Sequence, residues 1–159
     1  FKHWKKVIVL ATLFTVAHCL SLALSAYSIV HADVELVEFL IPLTIVLTAS
    51  FNLIQAYVFQ SEKKGYLLEF STTFFGLIHG FGFSNYFNML MSEENEKIGP
   101  LLGFASGIEI SQIIVIFSIL LLAFIFQNIL GVKRVVFTGL VSAAIVLLTI
   151  PMLIDSWPW

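Results

Sequence analysis

Along this chain, apolar residues run nearly unbroken and polar ones gather in four short breaks. The breaks are "HADVE" at 31–35, "QSEKKG" at 60–65, "SEENEKIGP" at 92–100 and "GVKR" at 131–134. Several intervening runs reach or approach the ~18 uncharged residues that mark a membrane-spanning helix, since about 20 residues at 1.5 Å each cross a ~30 Å hydrocarbon core. The pattern predicts five spans, at roughly 7–29, 36–59, 66–91, 100–129 and 135–154. Span 66–91 is the weakest, because glycine and Asn85 dilute its outer part. Connections this short fit antiparallel neighbours, so the expected fold is all-α, a polytopic transmembrane helix bundle, with residues 1–159 forming a single integral membrane domain.

Composition supports the membrane over a soluble core. Of 159 residues, 59% are hydrophobic, 11% are charged and 16 are phenylalanine, more apolar surface than a soluble domain of this size can hide. The phenylalanines are expected to face lipid and fill the core.

Charge then orients the bundle, because loops rich in Lys and Arg stay in the cytoplasm. Lys2, Lys5, Lys6, Lys63, Lys64, Lys133 and Arg134 fall on one side of the five-span scheme, and Lys97 alone falls on the other. The N-terminus is therefore expected in the cytoplasm and the C-terminal "DSWPW" outside. The outer side carries Asp33, Glu35, Glu93, Glu94, Glu96 and Asp155, which either attract cations or simply solvate the loops. Trp4, Trp157 and Trp159 sit at span ends, where aromatic residues anchor at the interface.

A net charge of −2 with no basic stripe gives no footprint for nucleic acid. The single cysteine, Cys19, excludes a disulfide framework within the chain. The chain begins at Phe1 with a basic cluster at 2–6. The apolar run that follows contains His18 and is too long for a signal-peptide core, so a true span is expected, with something upstream removed or left out.

Ionisable side chains inside a bilayer cost about 2.5–3.5 kcal/mol each near a helix centre, so each one calls for a reason. Four stand out: His18, Glu38, His79 and Glu109. Counted from the span ends, His18 lies roughly 18 Å deep from Lys6, His79 about 21 Å from Gly65, and Glu109 about 13 Å from Pro100 on a span running the other way. Three groups on three helices thus fall near one level, with Glu38 shallower, toward the outer surface. Asn52 lies toward the inner end of its span, as does Gln55, and Gln112 follows Glu109 by three positions on the same helical face.

Two imidazoles and a carboxylate at one depth form a partial site for a divalent transition metal, for which imidazole is a good ligand. The same groups suit a proton relay. The plainer reading is a set of interhelical hydrogen bonds. Gly76 and Gly80, and likewise Gly103 and Gly107, have the GxxxG spacing that lets membrane helices approach, which would bring spans 66–91 and 100–129 together beside His79 and Glu109. Alternatively, Gly80 and Gly82 loosen their helix and free carbonyls to line a cavity. Cys19 points about 100° from His18 and reads as a packing residue before a third ligand. His3 and His31 read as solvated, and Pro42 as a tolerated kink.

Four stretches, "FTVAHCLSLALS" (14–25), "VEFLIPLTIVLTASFN" (37–52), "FFGLIHGFGFSN" (74–85) and "LLGFASGIEISQ" (101–112), resemble in order and spacing the HupE/UreJ family of bacterial membrane proteins. The resemblance runs through most of the chain but lacks the family's first span, which carries a pattern like HxxxxxxDHxLF. "FKHW" at 1–4 looks like the loop that would follow that span. Cys19 stands where the family more often has a small hydroxyl residue. The family's patterned positions fall at His18, Glu38, Asn52, His79, Gly80, Glu109 and Gln112.

The resemblance implies a permease of the bacterial inner membrane for nickel, or less readily cobalt, that serves hydrogenases or ureases. His18, His79, Glu109 and Glu38 would be metal ligands, with Asn52 and Gln112 orienting them. No tightly bound cofactor is expected; Ni²⁺ or Co²⁺ is cargo. The expected partners are the lipid bilayer, the metal ion, and either a second copy or metalloenzyme maturation proteins. Magnesium and calcium favour all-oxygen shells and fit poorly. Two rivals are a non-transporting accessory protein and an intramembrane metal-dependent hydrolase. The second finds no HExxH or GxSxG signature, so the chain is not expected to be an enzyme.

Overall fold

The computed structural model describes residues 4–55, 57, 66–91 and 96–158. It is 87% helix, with no strand among the described residues, in keeping with the all-α expectation. Five helices follow in order: α1 (Trp4–Ala26), α2 (Val34–Ile54), α3 (Leu67–Leu90), α4 (Ile98–Phe124) and α5 (Arg134–Asp155). A π-helical turn, Ile125–Ile129, continues α4.

Four segments are long and apolar enough to cross a membrane: Lys5–Ala26, Val34–Ile54, Ile98–Ile129 and Arg134–Asp155. Helix α3 spans the expected residues and has the length, but it is not among the four. Glu69, Thr72, Thr73, His79, Asn85 and Asn88 dilute its apolar character. The loop residues Lys2, His3, Lys63, Lys64, Glu93 and Glu94, together with Trp159, lie outside the described residues.

Large apolar side chains remain exposed on these helices, among them Phe70, Phe117, Leu147 and Leu148, as suits surfaces solvated by lipid tails. Few residues are buried, and many of those are small or hydroxylated, including Ala17, Ser21, Ser142 and Thr149. Small residues are what membrane helices place where backbones meet.

The described chain divides into two compact units. The first comprises Phe1–Ile41 and Gly65–Gln112. Its centre is a parallel pair, α1 and α3, whose contacts advance together along both helices. Lys6 meets Glu69, Phe14 and Ala17 meet Gly76, and His18 and Ser21 meet Gly80. Leu22, Ala26 and Phe87 then form the core, with Met91, Leu101 and Phe104 packed against it. The opening turns of α4 run the other way past α1: Lys97 donates to the Ala26 carbonyl at 2.7 Å, and Thr15 donates to Gln112 Oε1 at 3.3 Å. At the start of α2, Val37 and Ile41 lie over Gly82.

Two expectations about glycine are corrected here. Helix α3 continues unbroken through Gly80 and Gly82, so those glycines serve close packing and free no carbonyls. The close partner of Gly76 and Gly80 is α1, while Gly103 and Gly107 have nothing among the described residues within 4 Å of where a Cβ would stand. The GxxxG pair on α4 therefore does not draw that helix onto α3. Its larger neighbours Leu101 and Phe104 make the contact to the core cluster.

The second unit comprises Pro42–Lys64 and Ile113–Trp159. Tyr57 places its phenol against Gly139, and Phe126 packs on Phe137 with ring centroids 5.8 Å apart. Pro42 is accommodated inside α2 without ending it. Gly131, at φ 67°, reverses the chain after the π turn, where Val132 donates to the Phe126 carbonyl at 2.8 Å.

Candidate functional site

The parallel α1–α3 pair builds the site. Glycine at 76 and 80 brings α3 against the α1 backbone, and the helical spacing of Phe14 and His18 puts both on neighbouring turns of one face. His18 is 4% exposed and sits in a box of rings. Its imidazole centroid lies 5.9 Å from Phe14, 5.8 Å from Phe83 and 6.1 Å from Phe104, the last nearly stacked. Phe83 and Phe104 also touch each other at 5.4 Å, so α1, α3 and α4 each contribute a wall.

Both ring nitrogens of His18 are sealed from solvent and neither has a hydrogen-bond partner among the described residues. A neutral imidazole offers one donor and one acceptor. Leaving a buried polar group unsatisfied costs about 1–3 kcal/mol, and such groups are rare enough in native proteins to require an explanation. His79 is half-buried and takes the edge of Phe14 at 5.5 Å, with the ring planes at 72°. Phe14 thus touches both imidazoles.

The other expected residues fall into separate places. Glu109 is half-buried on α4. Gln112 is held by Thr15. Glu38 is exposed on the first turns of α2. Asn52 is exposed and belongs to the second unit. The structure therefore joins His18 and His79 through the ring of Phe14. Among the described residues, no three His, Cys, Asp or Glu side chains stand close enough to hold a metal ion together.

Several residues that shape the site escape notice in the sequence. Phe83 and Phe104 are two of 16 phenylalanines, and nothing in their spacing singles them out as the walls around His18. Thr15 was legible in principle, since it precedes His18 by three positions and shares its face as Gln112 shares that of Glu109. Glu69 is a further ionisable residue inside an expected span, close enough to its inner end to pass for a loop residue.

No curated protein and no solved structure matches this chain. The model of one family, described as HupE / UreJ protein, matches residues 1–156, nearly the whole length. That match spans all five helices, including every residue of the ring-lined site, and the chain belongs to the HupE/UreJ family.

Proposed function

We propose that this protein is a multi-pass permease of the bacterial inner membrane that carries a divalent transition-metal ion, nickel in preference to cobalt. His18 and His79 form the imidazole station, Glu109 supplies a carboxylate, and Glu38 stands at the outer mouth. Gln112 orients the ligands. Residues 1–159 act as one membrane domain.

The observation that carries this reading is the pair of unpartnered nitrogens on His18, buried beside a second imidazole. A neutral imidazole binds a metal through a nitrogen lone pair, and an ionisable side chain inside a membrane helix marks an ion or proton path. Membership of the HupE/UreJ family supports the same class of cargo. Conduction requires a site attractive enough to enter yet weak enough to leave.

Calorimetry of the purified chain with Ni²⁺ and Co²⁺ tests the proposal. His79→Ala and Glu109→Ala should each abolish binding while membrane insertion stays intact. Survival of binding in both variants returns these residues to a packing role. A wild-type chain that binds neither ion, with metal uptake unchanged in a deletion strain, leaves a non-transporting accessory protein as the better account.

A further inference from the structure

The ring box around His18 is closed. The residue is 4% exposed and both ring nitrogens are sealed from solvent. A metal ion binds an imidazole nitrogen at about 2 Å, as zinc does, so no ion reaches His18 until one wall gives way. An apolar constriction of this kind also sheds water and resists a hydrated ion until it widens. The walls are Phe14, Phe83 and Phe104.

Two of these walls ride on backbone that is locked to that of His18. Phe14 lies one turn before His18 on α1, and its own carbonyl is pressed against Gly76 of α3. Phe83 lies three positions past Gly80, which meets the His18 carbonyl. Phe104 differs, because it stands on α4. Its ring lies within 24° of the imidazole plane and also meets Phe83 at 5.4 Å and Phe87 at 6.3 Å. The described contacts of α4 to α1 run through side chains: Lys97 to the Ala26 carbonyl, Thr15 to Gln112, and Leu101 and Phe104 against the core. The two hydrogen bonds lie seven residues before Phe104 and eight after it. Gly103 and Gly107, near it on the same helix, have nothing among the described residues within 4 Å of where a Cβ would stand, so they do not lock this stretch as Gly76 and Gly80 lock α3.

We propose that Phe104 is the gate of the imidazole station. This rests on the transport reading above. With Phe104 in place the station is occluded. A swing of its ring, or a small outward shift of α4 between its two hydrogen bonds, uncovers His18 to an arriving ion, while Phe14 and Phe83 stay with the α1–α3 pair. The sealed form binds no ion at His18, so the apparent affinity is reduced by the fraction of molecules that are open, and removing the gate restores it. The same opening sets how fast an ion enters.

The test uses the full chain in detergent. Diethyl pyrocarbonate probes the imidazole nitrogens, read peptide by peptide in a mass spectrometer, and stopped flow with calorimetry follows Ni²⁺ binding. In the wild type, His18 should react about tenfold or more slowly than the exposed His31, because an open state populated at about 10% or less slows its reaction in proportion. Phe104→Ala should raise the rate at His18 by about tenfold or more, and should speed Ni²⁺ association and tighten binding by the same order. Phe104→Leu, which fills more of the box, should act in the same direction by less, and it carries the test if the Ala variant folds poorly. Leu22→Ala empties a fully buried position in the neighbouring core but leaves all three rings, so it should leave the rate at His18 unchanged. If Phe104 only packs, its truncation lowers stability and leaves Ni²⁺ binding unchanged or weaker, and that pattern overturns the proposal. Equal acceleration by Leu22→Ala, or a wild-type His18 as reactive as His31, overturns it too. Should truncation of Phe104 open His18 to the reagent while no form of the chain binds Ni²⁺, the metal reading falls and Phe104 stands as the cover of His18.

Discussion

Gly80 of α3 lies directly against the carbonyl oxygen of His18 on α1, so that a Cβ at Gly80 would overlap both that oxygen and Ser21 Oγ. The contact is backbone to backbone, and no flexible side chain can yield to relieve it. Ser21 is itself fixed, donating to the carbonyls of His18 at 3.0 Å and Ala17 at 3.2 Å.

Gly80→Ala should therefore push the two helices apart and cost about 1–3 kcal/mol, the usual range for overpacking a tight interface. Gly76→Ala should act in the same direction more mildly, since the added carbon would stand 2.6 Å from the Phe14 carbonyl oxygen and 3.0 Å from the Ala17 Cβ. Gly103→Ala and Gly107→Ala meet nothing and serve as controls. Thermal or denaturant unfolding in detergent reads all four. Equal losses for the α4 and α3 glycines would contradict the packing described.

The same comparison shows what pattern alone can reveal. Hydropathy and breaks placed all five helices to within a few residues, because desolvating a spanning helix depends on local composition. The GxxxG spacing occurs identically on α3 and α4, yet only the α3 copy is used, since spacing marks a surface able to pack without naming its partner. Depth counting put His18, His79 and Glu109 at one level, but depth says nothing of rotation about the helix axis. That both imidazoles meet Phe14 is a matter of that rotation.

His18 offers a test in which stability and function part. Replacing it by Phe removes two orphaned nitrogens and keeps a ring among Phe14, Phe83 and Phe104, so the protein should gain about 1–3 kcal/mol of stability. Ni²⁺ binding should be lost at the same time. His18→Ala should lose binding too, but with about 2–5 kcal/mol of destabilisation from the cavity it opens. Unfolding measurements with calorimetry separate the two. A Phe variant as unstable as the Ala variant would mean that the nitrogens have native partners.

Lys97 stabilises the far end of α1. Its ammonium donates to the Ala26 carbonyl at 2.7 Å, meeting one of the acceptors a helix C-terminus leaves unpaired and placing positive charge at the negative end of the dipole. Lys97→Met should cost about 1.5–3 kcal/mol, the range for a hydrogen bond to a charged group. The loss should be local: hydrogen exchange at residues 26–30 should quicken while the Leu10–Phe14 region is unchanged. Uniform quickening along α1 would argue that Lys97 supports the whole helix.

The bond from Thr15 to Gln112 sets the approach of the two donor-bearing faces. Thr15 lies three positions before His18 and Gln112 three after Glu109, so the bond joins the face of α1 that presents the imidazole to the face of α4 that presents the carboxylate. A double-mutant cycle with Thr15→Val and Gln112→Leu should give a coupling of about 0.6 kcal/mol, the average for such bonds between membrane helices, and the 3.3 Å length argues against a much larger value. The consequence for metal should exceed that figure. Neither residue is needed as a ligand, yet an ion that bridges helices depends on their spacing, so Thr15→Val should weaken Ni²⁺ binding about tenfold, as loss of an orienting partner does. Thr15→Ser, which keeps the hydroxyl, should restore it. Equal weakening by Ser and Val would assign the effect to the lost methyl group and its packing instead of to the hydrogen bond.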